Sequence, residues 1–362
     1  MEVFDRLDRQ YQMYADEYKS AAIEALDSAC YIMGSHVEKF EKDFASLYSV
    51  RHCIGVNSGL DALQLSIRAL GFHESDEIIV PANTFIASVL AITENGVSPV
   101  FVEPDEFHNI DANKIENAIT RNTKAIMVVH LYGQAANMEK IKDIADRYHL
   151  EIIEDCAQSH GAKFNGKLTG TWGIAGCFSF YPTKVLGGFG DGGAIITNDD
   201  GLADKLRKIR NYGSGIKYHN EVKGVNSRLD DIQAALLNVK LGHLSELIEQ
   251  RQKYAKSYIS KIQNKRIELP RKMELSDHIY YLFVIRCKER NELQSYLQKN
   301  GIRTMIHYPI PPHLQECYNY LGYKTGDFPI TENEANTVLS LPFFNGMTDE
   351  EIEFVVNTIN RF

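Results

Sequence analysis

The chain has 362 residues, 44% of them hydrophobic and 24% charged, and carries a formal net charge of −9. That is the composition of an ordinary globular protein, long enough for two domains and a large core. It excludes three classes. No apolar run approaches the roughly 20 residues of a membrane span, no Lys/Arg block is dense enough for a nucleic-acid patch, and no basic segment leads into an apolar stretch at the N-terminus as in a signal peptide. The six cysteines (Cys30, Cys53, Cys156, Cys177, Cys287, Cys317) stand far apart with no CxxC pair. They read as free thiols in a reducing cytoplasm, not as disulfides or zinc ligands, and no metal is expected.

In chain order, Ser20–Ala29 reads as a helix with Ala21, Ala22, Ile23, Ala25 and Leu26 clustered on one side. Cys53–Val56 is a short buried strand. Ser58 follows it as the cap of a helix whose Leu60, Leu63, Ile67 and Leu70 recur at helical spacing. Strand and helix then alternate: Ile78–Val80 with Phe85–Ile92, Ser98–Val102 with Ala112–Ile119, Ala125–Val129 with Met138–Tyr148, and the run ending Ile152-Ile153-Glu154-Asp155. Apolar strands without a period of two predict a mainly parallel sheet covered on both faces, an α/β fold. After position 184 come a strand at Gly193–Thr197, a helix at Leu202–Ile209, a polar glycine-bearing loop from Asn211 to Asp230, and a long helical region from Asp231 to Ile262. A smaller α/β unit follows: strand Tyr280–Cys287, helix Leu293–Lys299, a stiff loop at Pro309-Ile310-Pro311-Pro312, and helices at Glu332–Leu339 and Asp349–Ile359. The expected division is 1–245 and 246–362.

Lys184 is the most informative residue. It lies 29 positions after Asp155, which ends a strand, where ligands bind in open α/β sheets. A pyridoxal phosphate enzyme needs both an amine to hold the cofactor as a Schiff base and a carboxylate to keep its pyridine nitrogen protonated. A lone lysine is usually a solvated surface residue, and a strand-end aspartate can simply cap a loop. The neighbours point to the cofactor. Ser179 brings a hydroxyl within reach of a phosphate, and Gly187–Gly193 leaves backbone free to approach a ligand. Strand Cys53–Val56 running into Asn57-Ser58-Gly59 at a helix start is an anion-site geometry, although Ser58 taken alone reads first as a helix cap; with Ser179 as a second phosphate donor, the cofactor role is preferred.

Other residues carry two readings each. Phe85 either stacks on an aromatic ring or packs in the core, and His160 either bonds the Asp155 carboxylate or is a packed histidine. Arg228, in Gly224–Asp230, offers a planar fork for a carboxylate or phosphate; its plain alternative is an ion pair with Asp230 or Asp231. His307 and Tyr308 begin a proline-rich loop that is either a substrate wall or an irregular connection, and Tyr181 is expected to face the same space.

Together these segments resemble the DegT/DnrJ/StrS family of sugar aminotransferases, of pyridoxal phosphate fold type I. The motifs that carry it run in order: Pro81–Phe85, Glu154–Ala162, Phe178–Lys184, Gly190–Gly193, Arg210–Gly213 and Gly224–Asp230. The resemblance implies a Schiff base at Lys184, Asp155 on the pyridine nitrogen, Gln158 beside the ring hydroxyl, and Ser58, Gly59 and Ser179 at the phosphate. It implies a homodimer with shared active sites, in which Asn226 reaches the partner subunit's cofactor. Leu60 departs from the hydroxyl that many members carry there, so the phosphate would lean on backbone N–H groups and Ser58. Members that dehydrate carry histidine in place of the lysine, and lysine here favours transamination. His307-Tyr308-Pro309 followed by Pro312-His313-Leu314-Gln315 is similar to the branch acting on dTDP-linked 3-keto-6-deoxyhexoses, with L-glutamate as amino donor. A 4-keto sugar carried on UDP or GDP is the first rival, and a non-enzymatic cofactor-binding regulator the second.

Overall fold

The computed structural model of the protein describes residues 4–362. Its centre is a seven-stranded sheet in the order His52–Val56, Gly193–Thr197, Ala175–Ser179, Glu151–Asp155, Thr123–Val129, Glu77–Pro81, Ser98–Val102. Gly193–Thr197 runs antiparallel to both neighbours, and the other pairs are parallel. Because successive side chains alternate between faces, each strand feeds two cores. Ile78, Val80 and Ile153 pack with Leu63, Ile67 and Val89 on one face, whereas Ile79, Ile126 and Ile152 pack with Ile141 and Ile144 on the other. Burial on both faces is why these strands read as continuous apolar runs. A second unit pairs Phe283–Arg286 antiparallel with Val338–Leu341. Its core joins Tyr258, Phe283, Leu293, Leu297, Leu339, Val355 and Ile359.

The expected α/β architecture with a mainly parallel sheet is the one observed, but several elements differ. Helices Leu7–Met13 and Ser35–Tyr48 and strand Ala175–Ser179 were not anticipated, and the helix read at Ser20–Ala29 is Ala15–Asp27. The helix expected at Ala112–Ile119 shrinks to Ile115–Ala118, and the loop from Asn211 holds a hairpin, Ser214–Ile216 with His219–Asn220. The long helical region breaks into Asp231–Gly242 and Leu244–Lys261 at Gly242-His243, where glycine weakens the helix. The helix expected through Leu339 stops at Thr337. The apolar spacing of Ala335 and Leu339 suits a helix, yet Val338–Leu341 is wholly buried and gains its hydrogen bonds from Phe283–Arg286 instead.

Two anchors matter for the site. Glu154 is fully buried, and its carboxylate accepts from the backbone N–H groups of Gly170 (2.7 Å), Trp172 (2.7 Å) and Gly173 (2.9 Å). His130 Nδ1 accepts from the Ala136 N–H (3.1 Å), so its Nε2 carries the hydrogen and donates to Glu154 (3.0 Å). His130, Glu154 and Cys156 cluster tightly enough to suggest a metal site, but the histidine and carboxylate are already spent on these bonds. At the other end of the chain, Arg9 ties helix Leu7–Met13 to the second unit through Glu351 Oε2 (2.6 Å) and Gly346 O (3.2 Å).

Candidate active site

The parallel strand ends converge where Gly193 pairs with Val56 on one side and Ser179 on the other. That register brings Ser58-Gly59 against Ser179, and only glycine permits it. A Cβ on Gly59 would lie 2.5 Å from the Cβ of Ser179, and one on Gly193 would lie 2.3 Å from Ser58 O. Helix Gly59–Leu70 starts here. Ser58 Oγ accepts from the Asp61 N–H (3.1 Å) and Ser58 O from the Ala62 N–H (3.0 Å), which leaves the amides of Gly59 and Leu60 for an anion. Ser58 is therefore the helix cap, and it also lines the neighbouring cavity.

A cavity of about 590 Å³ opens over this point. Ser58, Gly59, Leu60, Phe85, Asp155, Gln158, Ser179, Tyr181, Lys184, His307 and Tyr308 all line it, so residues 250 positions apart in sequence meet at one place. Asp155 is only 6% exposed; Oδ2 accepts from Ser88 Oγ (2.7 Å) and Oδ1 from the Ala157 N–H (3.1 Å). Burial pushes its pKa up, and the Ser88 bond, the Ala157 amide, Lys184 and His130 pull it back. A carboxylate desolvated in this way gains most from a cationic N–H placed against it. Lys184 Nζ lies 4.4 Å from the centre of the Tyr281 ring, a face that suits an ammonium.

Gln158 is buried between two partners, its Oε1 accepting from the Tyr132 N–H (2.6 Å) and its Nε2 donating to Tyr308 Oη (3.1 Å). Phe85 is 49% exposed, which removes the core reading, and its ring is 5.1 Å from that of Tyr308. His307 is held through Nδ1 by Ser340 Oγ (2.8 Å) and through its carbonyl by the Tyr132 hydroxyl. Burial, with Lys184 adding to it, pushes the His307 imidazole down to about 4, so it is neutral at neutral pH.

Asn226 and Arg228 stand apart from this cavity. Asn226 is exposed beside Asp61, Gln64 and Asn95. Arg228 donates to Asn211 Oδ1 (3.0 Å) and lies over the Tyr212 ring, so neither expected ion pair forms. Asp231 is taken by His36 Nδ1 (2.6 Å). Their loop is nevertheless fixed to the start of the Ser58 helix, because Ser227 Oγ donates to Asp61 Oδ2 (2.6 Å) and accepts from the Asn57 N–H (3.1 Å).

Sequence reasoning missed Ser88, Thr84, Tyr132, Tyr281 and Thr183. Thr84 and Ser88 form a relay (2.7 Å) ending on Asp155, and Thr183 Oγ1 reaches the Tyr281 hydroxyl (3.3 Å). The signal for the first pair was present: two hydroxyls at i and i+4 in an otherwise apolar helix start. His160 corrects an expectation, since it does not bond Asp155. It is fully buried between Phe178 (5.6 Å) and Phe180 (6.0 Å), and neither ring nitrogen makes a hydrogen bond among the described residues.

Burial pushes the His160 imidazole down to about 3. An unfolded histidine takes a proton near pH 6.5, so the native state loses relative stability as pH falls from there toward 3. Between pH 7 and pH 5 the wild type is expected to lose about 2 kcal/mol more stability than His160→Leu, measured by urea unfolding. An equal loss in both would show that His160 protonates in the native state.

The sheet order, the second unit and the site at the strand ends define a pyridoxal phosphate-dependent transferase of fold type I, the class expected from the sequence. The chain belongs to the DegT/DnrJ/EryC1/StrS aminotransferase family, whose pattern it matches over residues 12–360. It is 51% identical over 356 residues to the dTDP-3-amino-3,6-dideoxy-alpha-D-galactopyranose transaminase of Aneurinibacillus thermoaerophilus, covering 98% of each chain. It is 44% identical to a protein of Geobacillus stearothermophilus named pleiotropic regulatory protein, covering 98% of this chain and 97% of that one. The crystal structure of DesV from S. venezuelae superposes with a TM-score of 0.97 at 43% identity, covering 99% of this chain and 97% of the other. No helix among the described residues is long and apolar enough to cross a membrane.

Proposed function

We propose that this aminotransferase moves the amino group of L-glutamate to a dTDP-linked 3-keto-6-deoxyhexose, giving the dTDP-3-amino-3,6-dideoxyhexose. The carrying observation is one cavity that holds both Lys184 and the buried, Ser88-bonded carboxylate of Asp155. The cofactor is pyridoxal phosphate, and the residues present suit it. The glycine-tight junction of Gly59 with Ser179 and the free first-turn amides suit its phosphate, and Asp155 suits a protonated ring nitrogen. Gln158, Phe85 and the amide of Leu60 complete its surroundings. When bound, it supplies an electron sink for the bonds at the amino-bearing carbon.

The side chains then have separate tasks. Lys184 would hold the cofactor through its Nζ, and the same Nζ, when free, would move the proton at the donor's α-carbon. Asp155 keeps its partner cationic. Tyr181, His307 and Tyr308 orient the sugar, and the prolines after Tyr308 lower the ordering cost on binding. We place the domain division at 245, just past the break at His243, and the enzyme in the cytoplasm.

A panel test decides the acceptor. After conversion of glutamate to 2-oxoglutarate, dTDP-3-keto-6-deoxyhexose should be aminated faster than 4-keto sugars carried on UDP or GDP. Faster turnover of a 4-keto UDP sugar would move the substrate assignment and leave transamination standing. The regulatory reading suggested by one relative's name predicts no 2-oxoglutarate at all.

We also infer a homodimer. Asn226 and Arg228 lie outside the cavity of their own chain, and Ile23, Leu26, Tyr31 and Ile32 leave an apolar surface exposed. Arg228 is assigned to the substrate of the partner subunit, and Asn226 to its cofactor phosphate. Mixing Lys184→Ala with Asn226→Ala chains should restore activity, to about a quarter of the wild-type level for random pairing in which each mixed dimer keeps one intact site. No recovery after subunit exchange would count against shared sites.

A further inference from the structure

We propose that the N-terminal segment Phe4–Asp5 is a specificity-determining wall of the sugar site, with Asp5 accepting a hydrogen bond from a sugar hydroxyl and Phe4 covering an apolar edge of the ring. The proposal rests on the nucleotide-sugar reading above. Both residues line the same cavity as Lys184, His307 and Tyr308, although they stand some 180 positions from the lysine. The Phe4 ring packs 6.0 Å from that of His307.

Asp5 is built into the protein. Its Oδ1 accepts from the Arg6 N–H (2.7 Å) and from Gln10 Nε2 (3.1 Å). Gln10 Oε1 in turn accepts from Lys240 Nζ (3.3 Å), and Lys240 also donates to Gly187 O (3.3 Å), three residues beyond Lys184. One hydrogen-bonded chain thus runs from Asp5 to the catalytic loop, while Arg9 fixes the same helix to the second unit. Among the described residues both of Asp5's donors go to Oδ1, so Oδ2 is the oxygen open to a ligand. Burial raises the Asp5 pKa, and the nearby Arg251 and Lys240 pull it back toward the carboxylate form.

Chemistry separates the two substrates at this wall. Glutamate brings two carboxylates and no hydroxyl, so an anion beside an apolar ring repels it. A deoxyhexose brings hydroxyl donors and a hydrocarbon edge, which match the pair. Asp155, the buried acid of the cavity, is already bonded to Ser88 and Ala157.

Single-turnover rates of the two half-reactions test this with Asp5→Asn, Asp5→Glu and Phe4→Ala, together with calorimetric titration of the dTDP-amino sugar product. Asp5→Asn and Phe4→Ala should each raise the keto-sugar concentration for half-maximal rate by about tenfold and weaken product binding alike, one good hydrogen bond or one apolar contact being worth roughly that much. The glutamate half-reaction should stay within about twofold, and Asp5→Glu should recover part of the loss. A loss shared equally by both half-reactions would assign the segment a structural role and overturn the proposal. If the wild type aminates no nucleotide sugar, both the functional reading and the wall fall; if it does and the variants match it, the wall alone falls.

Discussion

Lys184→Ala is expected to fold normally and to lose at least ~10³-fold in turnover, because one side chain performs two tasks. Proton transfer by a positioned group contributes roughly 10²–10⁴-fold on its own, and loss of the covalent tether adds to that. The stability cost should be small. Lys184 is half-buried, and its main fixed contact is the Tyr281 ring, worth about 1 kcal/mol. The wild type should be yellow, bleach with borohydride, and show the reduced adduct on Lys184 by mass spectrometry. An adduct on any other lysine would falsify the assignment. Added small amines should return part of the activity to Lys184→Ala if the missing element is a base, since they can carry the proton without the tether.

Asp155→Asn should retain the cofactor and lose roughly 10²–10³-fold in rate, the scale on which a preorganised charge partner matters in a water-poor site. The amide preserves shape and still accepts from Ser88, but it cannot hold a facing nitrogen protonated. Ser88→Ala serves as the graded control. It removes one hydrogen bond to a buried carboxylate, worth about 1.5–3 kcal/mol, and should slow the reaction less than Asp155→Asn does. A near-normal rate for Asp155→Asn would mean that another group performs this task.

Much of the site was legible because its residues carry chemistry that position alone suggests. Asp155 ends a strand and Ser58 caps a helix, where an α/β sheet exposes backbone donors, and continuous apolar runs reveal those ends; Lys184 and Ser179 are legible from their chemistry and motif instead. The residues that hold them were hidden for a different reason. Ser88 and Thr84 look like ordinary members of an apolar helix until the neighbouring strand is placed beside them. Tyr281 reads as the second residue of a strand at Tyr280–Cys287, and only the later start of that strand at Phe283 frees it to meet Lys184. The strand Ala175–Ser179 went unread because Gly176 and the following Pro182 mask its β character. Asn226 and Arg228 lie outside the cavity of their own chain, and no periodicity in their loop tells where either side chain ends up.

The saturated carboxylate of Glu154 has a consequence for the strand that ends in Asp155. A strand greased on both sides, as Ile152-Ile153 is, has little to stop it slipping by one residue, since either face accepts aliphatic side chains equally well. Glu154 acts as a ratchet tooth. Sliding by one position would take it away from Gly170, Trp172, Gly173 and His130 and strand several buried N–H groups at about 1–3 kcal/mol each, while turning the shorter Asp155 away from the cavity. Two neighbouring acids thereby divide the labour, one setting the phase of the strand so that the other faces the reaction.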